Sequence, residues 1–189
     1  MKRLAMLIVA ALAVVGIFAD TAAAASPHFK GRDPIAFTDD GLTLSGTASY
    51  AGLGNFDSLQ VLTATGNTAS TCTNQGGNTA PGQNPAPVTV VGATPVEADD
   101  IKNGNVTISS TTDSPETPVP GAPGCANTNW REDINDVLFT SATIRLFQDQ
   151  TPADGEFGRW ETLVLTANCT FDPATSNGDV PSSGFTCTF

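Results

Sequence analysis

The sequence predicts an all-β chain: an antiparallel β-sandwich, immunoglobulin-like in shape, with long loops and two disulfides. Three observations lead there. Almost every periodic segment after residue 25 alternates apolar and hydroxyl residues with period two. No sustained helical repeat follows residue 25. Clusters of Gly, Pro and Asn separate the periodic runs, as turns between short strands do.

The chain opens with Lys2 and Arg3, runs apolar from Leu4 to Ala19, and reaches Ala23-Ala24-Ala25 through small residues. This is the pattern of a secretory signal peptide over residues 1–25, cut before Ser26. The remaining residues, 26–189, suit a single domain with a real core.

Leu42, Leu44, Gly46, Ala48 and Tyr50 interleave with Thr43, Ser45, Thr47 and Ser49, which predicts a strand with one apolar and one hydroxyl face. Leu59, Val61 and Thr63 continue the apolar face after a turn over 52–57. Val88 to Val91 reads as a short strand broken over 92–95, and Val106 and Ile108 mark another. Leu138, Thr140, Ala142, Ile144 and Leu146 form the longest run. Leu163, Leu165, Ala167, Cys169 and Phe171 line one face of the next strand, and Phe185 to Phe189 supplies the last. Residues 98–101 and 130–136 could each make one helical turn. Thr73 to Pro87 and Thr111 to Asn129 are too rich in Asn, Gly and Pro to build core, and are expected as surface loops.

The four cysteines, Cys72, Cys125, Cys169 and Cys187, are an even set in an exported chain, which implies disulfides. Of three pairings, Cys72–Cys125 with Cys169–Cys187 is favoured. The first closes the loop-rich middle, and the second pins the last strand to its neighbour. Zinc is disfavoured: no pair has C-x-x-C spacing, and His28 is the sole histidine.

Without Lys2, Arg3 and Asp20, the 8 basic and 19 acidic side chains become 6 and 18, a net charge of −12. That charge argues against nucleic acid and anionic membrane as partners. After the leader, no apolar run is long enough for a membrane span. The expected setting is extracellular or at the cell surface.

Ser26-Pro-His-Phe29, Ala51-Gly-Leu-Gly-Asn55, Cys72-Thr-Asn-Gln-Gly-Gly-Asn78 and Ala80-Pro-Gly-Gln-Asn84 occur together in the first half of the exported chain. In these motifs the sequence resembles a group of small exported bacterial proteins to which no function is assigned. The resemblance implies a secreted, β-rich module with a bonded cysteine at position 72. It implies no catalytic residue, and it does not extend to Trp130 or Cys169.

Catalytic chemistry finds little support. A Ser-His-Asp triad would have to use His28 beside the cleavage site, and no G-x-S-x-G turn exists. His28 is expected to orient the N-terminal arm beside Phe29. Glu132, Asp133, Asp136, Glu156 and Glu161 are the carboxylates from which a glycosidase pair would come, which needs two of them facing across a cleft. No cofactor is required by the sequence, but calcium has candidate ligands. Asp99, Asp100, Asn103 and Asn105 cluster in one segment, and Asp149, Asp154 and Glu156 in another, without EF-hand spacing. Asn105 and Asn168 begin glycosylation sequons.

Trp130 and Trp160 are the aromatic candidates for a ligand surface, with Tyr50 a third. The expected function is a secreted, non-catalytic structural or interaction module. Its partner would be an extracellular protein or glycan met by the loops around 73–87 and 112–132. A carbohydrate-binding module using Trp130 and Trp160 is the alternative, and a small secreted hydrolase the third.

Overall fold

The computed structural model describes residues 26–82, 86–119, 124–125, 127–149 and 162–189. The leader at 1–25 lies outside the described residues. So do Trp160, Asp154, Glu156 and Glu161.

The described residues form eleven strands in chain order. They are β1 (His28–Phe29), β2 (Ile35–Asp39), β3 (Leu44–Ala51), β4 (Ser58–Asn74), β5 (Thr79–Pro81) and β6 (Pro87–Val96). β7 (Val106–Thr111), β8 (Trp130–Gln148), β9 (Thr162–Phe171), β10 (Gly178–Val180) and β11 (Phe185–Thr188) complete the set. One sheet holds β1, β2, β3, β7 and β10 around β3. The other runs β11-β9-β8-β4, with β6 and then β5 along the far side of β4. All pairings are antiparallel, and the two sheets pack face to face as the alternation predicts.

The sheets meet where side chains are small. A Cβ on Gly46 of β3 would sit 3.2 Å from Leu62 of β4 and from Phe37 of β2. Around this contact Leu44, Ala48 and Tyr50 face Leu62, Ala64, Ile144 and Leu146. Phe37 meets Phe171 and Phe185 edge-on, both at 5.1 Å between ring centres. A polar bridge crosses the core. The Tyr50 hydroxyl donates to Gln60 Oε1 at 2.6 Å, and Gln60 Nε2 donates to Gly46 O and to Ser110 Oγ. Tyr50 is fully buried, so it forms no ligand surface, contrary to its place among the candidates. The loss of solvent raises its phenol above the ordinary pKa.

On one side the sheets are joined by β6 and β7. Asp113 N donates to Val91 O at 2.9 Å, and Thr94 Oγ1 to Ser109 O at 3.0 Å. β6 therefore runs unbroken through Gly92 to Val96, where a break was expected. His28 Nδ1 lies 2.8 Å from Ser26 O, and Phe29 stacks near Tyr50 and Phe189, so the N-terminal arm is held as expected.

Several expected faces are corrected. In β4 the buried set is Ser58, Gln60, Leu62 and Ala64, while Leu59 and Val61 look outward, half-buried. In β8 Thr140 is an extra residue opposite the Thr65–Gly66 step. The bulge reverses the alternation, so Phe139 and Val137 enter the core and Leu138 is exposed. A similar irregularity at Val164 turns Leu163 out to solvent. Residues 130–136 are strand, not a helical turn. The turn at Ala98–Asp100 is helical, of the 3-10 kind. Thr73 to Pro87, expected as loop, contains β5. Both disulfides are those favoured by the sequence, Cys72–Cys125 and Cys169–Cys187, the latter directly across β9 and β11. No helix among the described residues is long and apolar enough to cross a membrane.

Asp39 ends β2 in the core, 2% exposed. Burial raises its pKa above the ordinary 3.8, and the Asp136 and Asp40 charges add to this. The Thr175 hydroxyl and the Gly41 N–H, the latter bonded to Oδ1 at 2.9 Å, pull the other way. The folded protein thus takes up this proton more readily than the unfolded chain, and the carboxylate costs stability above its raised pKa. That cost fades as pH falls through the raised value to the ordinary one. Asp39→Asn keeps an acceptor for Gly41 and is expected to melt higher than the native protein near neutral pH. The gap should close below the ordinary carboxylate range; a gap constant from about pH 7 to about pH 3 would remove the charge explanation.

Candidate functional site

β4 and β8 are the longest strands, and they pair along their whole length from Ser58↔Gln148 to Asn74↔Trp130. Their far ends, Asn74 of β4 and Trp130 of β8, meet beyond the stretch of β4 that β6 covers, which stops at Asn67. A second bulge, at Asn135, restores the phase so that Ser70, Cys72 and Asn74 share a face with Ile134, Glu132 and Trp130. The Cys72–Cys125 bridge fastens the segment after β7 onto this face.

Between that segment and the strand ends lies a cavity of about 900 Å³. Its walls are Thr73, Asn74 and Gln75 on one side, and Thr117, Pro118 and Cys125 on the other. Asn127 to Asp133 lines the rest. Trp130 stands half-buried in it, opening β8 rather than sitting in a loop.

Local hydrogen bonds fix the rim. Asn74 Oδ1 accepts from the N–H groups of Gly76 and Asn78, both at 2.9 Å, which shapes the turn after β4. Asn127 Oδ1 accepts from Asn129 N–H at 3.0 Å, and Trp130 N–H donates to Asn127 O at 3.2 Å. Arg131 and Asp133 pair at 3.0 Å on the outward face of β8, where the arginine side chain is 78% exposed.

Glu132 lies on the inward face beside the bridge and is 5% exposed. Its Oε1 accepts from Gly124 N–H at 3.0 Å, while its Oε2 makes no hydrogen bond. The approach at Gly124 is close: a Cβ there would lie 2.3 Å from Glu132 Oε1 and 2.6 Å from Ser70 Oγ, so both side chains would have to shift.

The other expected positions fall elsewhere. Glu132 and Asp133, candidates for a glycosidase pair, both belong to the cavity lining but project to opposite faces of β8 and so do not face one another across it. Asp136 accepts from its neighbour Val137 N–H at 3.0 Å, near Asp39 rather than near the cavity. Asp99 and Asp100 are exposed on the 3-10 turn, with Asn103 and Asn105 in the turn that follows. There the Lys102 ammonium bonds the Asp99 carbonyl, and Asn105 Nδ2 donates to Asn103 O at 2.8 Å. Asp149 is buried at the end of β8, its N–H on Asp57 O at 3.0 Å. Among the described residues no three His, Cys, Asp or Glu side chains group around a single metal position. Asn168 is exposed on β9, its Oδ1 accepting from Thr143 Oγ1 at 3.2 Å.

Sequence reasoning singled out Trp130, though in a loop rather than at the start of β8, and the segments around 73–87 and 112–132, but not the amide side chains of Asn74 and Asn129, nor the inward turn of Glu132. The missed signal was the asparagine spacing around the paired cysteines. Comparison with protein-family models, curated proteins and solved structures finds no match to this chain.

Proposed function

We propose that the chain is an exported, non-catalytic interaction module that holds its partner in the cavity at the outer end of β4 and β8. The observation that carries this reading is the cavity itself. A half-buried indole stands in it among amide and hydroxyl groups, with Arg131, Glu132 and Asp133 also in the lining, beside a segment tied down by a disulfide. Such a surface loses little conformational entropy on binding. The signal-like leader and the oxidised cysteines support the extracellular setting.

A glycan is the second reading, favoured by Trp130 beside Asn129 and across the strand pair from Asn74. An indole face covers a sugar ring, and amides meet its hydroxyls. The test is capture of the purified, oxidised protein on a panel of insoluble polysaccharides and cell walls. Saturable capture by one of them should fall by about tenfold or more in Trp130→Ala, the scale of losing one buried aromatic contact. Capture unchanged by Trp130→Ala, with the fold intact, would move the site away from this cavity. Absence of capture by any glycan would leave an extracellular protein as the partner.

A further inference from the structure

Glu132 is the group in the cavity wall whose chemistry is unfinished. The chain places a carboxylate where it is 5% exposed and gives Oε1 a single N–H donor. Oε2 has no donor, and it is shielded from bulk water. Such an oxygen is costly to leave unmet. The nearest cation in sequence, Arg131, is engaged with Asp133 on the other face of the strand. Gly124 brings its N–H to the carboxylate, and a side chain added there would push the Glu132 carboxylate away.

We propose that the ligand meets Glu132 with a protonated primary amine, carried on an amino-sugar unit that stacks on Trp130. This inference rests on the interaction-module reading above and names the ligand class for the same cavity. An ammonium supplies donors and the opposite charge together, which a neutral hydroxyl does not. Trp130 lies two residues along the same strand face, so one ligand unit can touch both side chains, with the indole adding cation–π attraction. The amides of Asn74, Gln75 and Asn129 in the same lining suit the hydroxyls of a sugar ring better than the bare methylenes of a lysine side chain. The net charge of −12 without the leader draws a polycation toward the surface.

The test compares three probes by calorimetric titration at a pH that keeps the amine protonated: a glucosamine tetramer, an N-acetylglucosamine tetramer and a lysine tetrapeptide. The native protein is expected to bind the glucosamine tetramer about tenfold or more tighter than its acetylated counterpart, the scale of one charge-assisted hydrogen bond. Glu132→Gln should erase that preference, while Trp130→Ala should weaken both sugars. The Gly124 amide resonance should move on adding the amine, because its N–H shares the carboxylate.

Equal binding of the two sugars by the native protein would overturn the amine contact and leave the cavity reading standing. So would a preference that survives Glu132→Gln. Tighter binding of the lysine peptide than of either sugar would overturn the sugar-borne amine in favour of a protein partner. Binding of no probe would overturn this proposal, while polysaccharide capture sensitive to Trp130→Ala would still uphold the module reading. Failure of both measurements would end the glycan reading together with this proposal and leave an extracellular protein as the partner. The comparison within the native protein requires no variant to fold.

Discussion

Replacing both Cys72 and Cys125 by alanine is expected to cost about 4 kcal/mol of stability, read from urea unfolding against the native protein. The bridge joins residues 53 apart, and a closed loop of that length removes much of the unfolded chain's freedom. The folded state also loses an anchor, because the bridge holds Gly124 against Glu132 and so forms the cavity wall. Ligand capture should therefore fall even where the variant is still folded. The matching change at Cys169 and Cys187 opens a loop of only 18 residues, with an expected cost of about 3 kcal/mol. There the β9–β11 ladder keeps the two strands together, and capture should persist. Equal loss of capture in the two variants would mean that the bridges act only through global stability.

Gly92→Ala should be the most damaging glycine-to-alanine change among the described residues, at about 3 kcal/mol or more. A Cβ at this position would lie 1.9 Å from Thr111 O and 2.5 Å from its carbonyl carbon, both backbone atoms that no side-chain rotation can clear. The requirement is for space, since β6 passes here in ordinary extended conformation. Relief would have to come from parting β6 and β7, which breaks the Asp113–Val91 and Thr94–Ser109 hydrogen bonds that close this side of the sandwich. Chemical denaturation of the variant checks this. A loss below about 0.5 kcal/mol, the level of an ordinary surface change, would show that the two strands separate freely.

The fold class was legible because strand alternation and loop composition agree over most of the chain. Leu44, Ala48 and Tyr50 were placed correctly on the buried face of β3 because nothing interrupts their period. β4 was misphased because Leu59 and Val61 outweigh Gln60 on any hydropathy scale, yet the Gln60 amide is satisfied inside by Tyr50, Gly46 and Ser110. A polar group with its hydrogen bonds made can take a core position, and sequence does not display those partners. Leu138 and Leu163 were misplaced for another reason. A single extra residue reverses a strand's faces, and bulges at Thr140 and Val164 carry no Gly or Pro to announce them. At the site, Trp130 was legible as a large aromatic near loops. Glu132 entered only as a hydrolase carboxylate, because its inward turn depends on the bulge at Asn135.

The pairing of β4 with β8 also sets how this protein must be made. Ser58 and Gln148, which come within hydrogen-bond distance at one end of that ladder, are 90 residues apart in the chain. No tight turn can start the ladder, so the central strands meet only after a long diffusive search. Until then Leu62, Phe139 and Ile144 face water, and the partner edges stay open to other chains. Crowding of unfolded copies is therefore the hazardous moment in the life of this molecule. Its yield should depend on dilution and on assisted oxidation more than on its final stability.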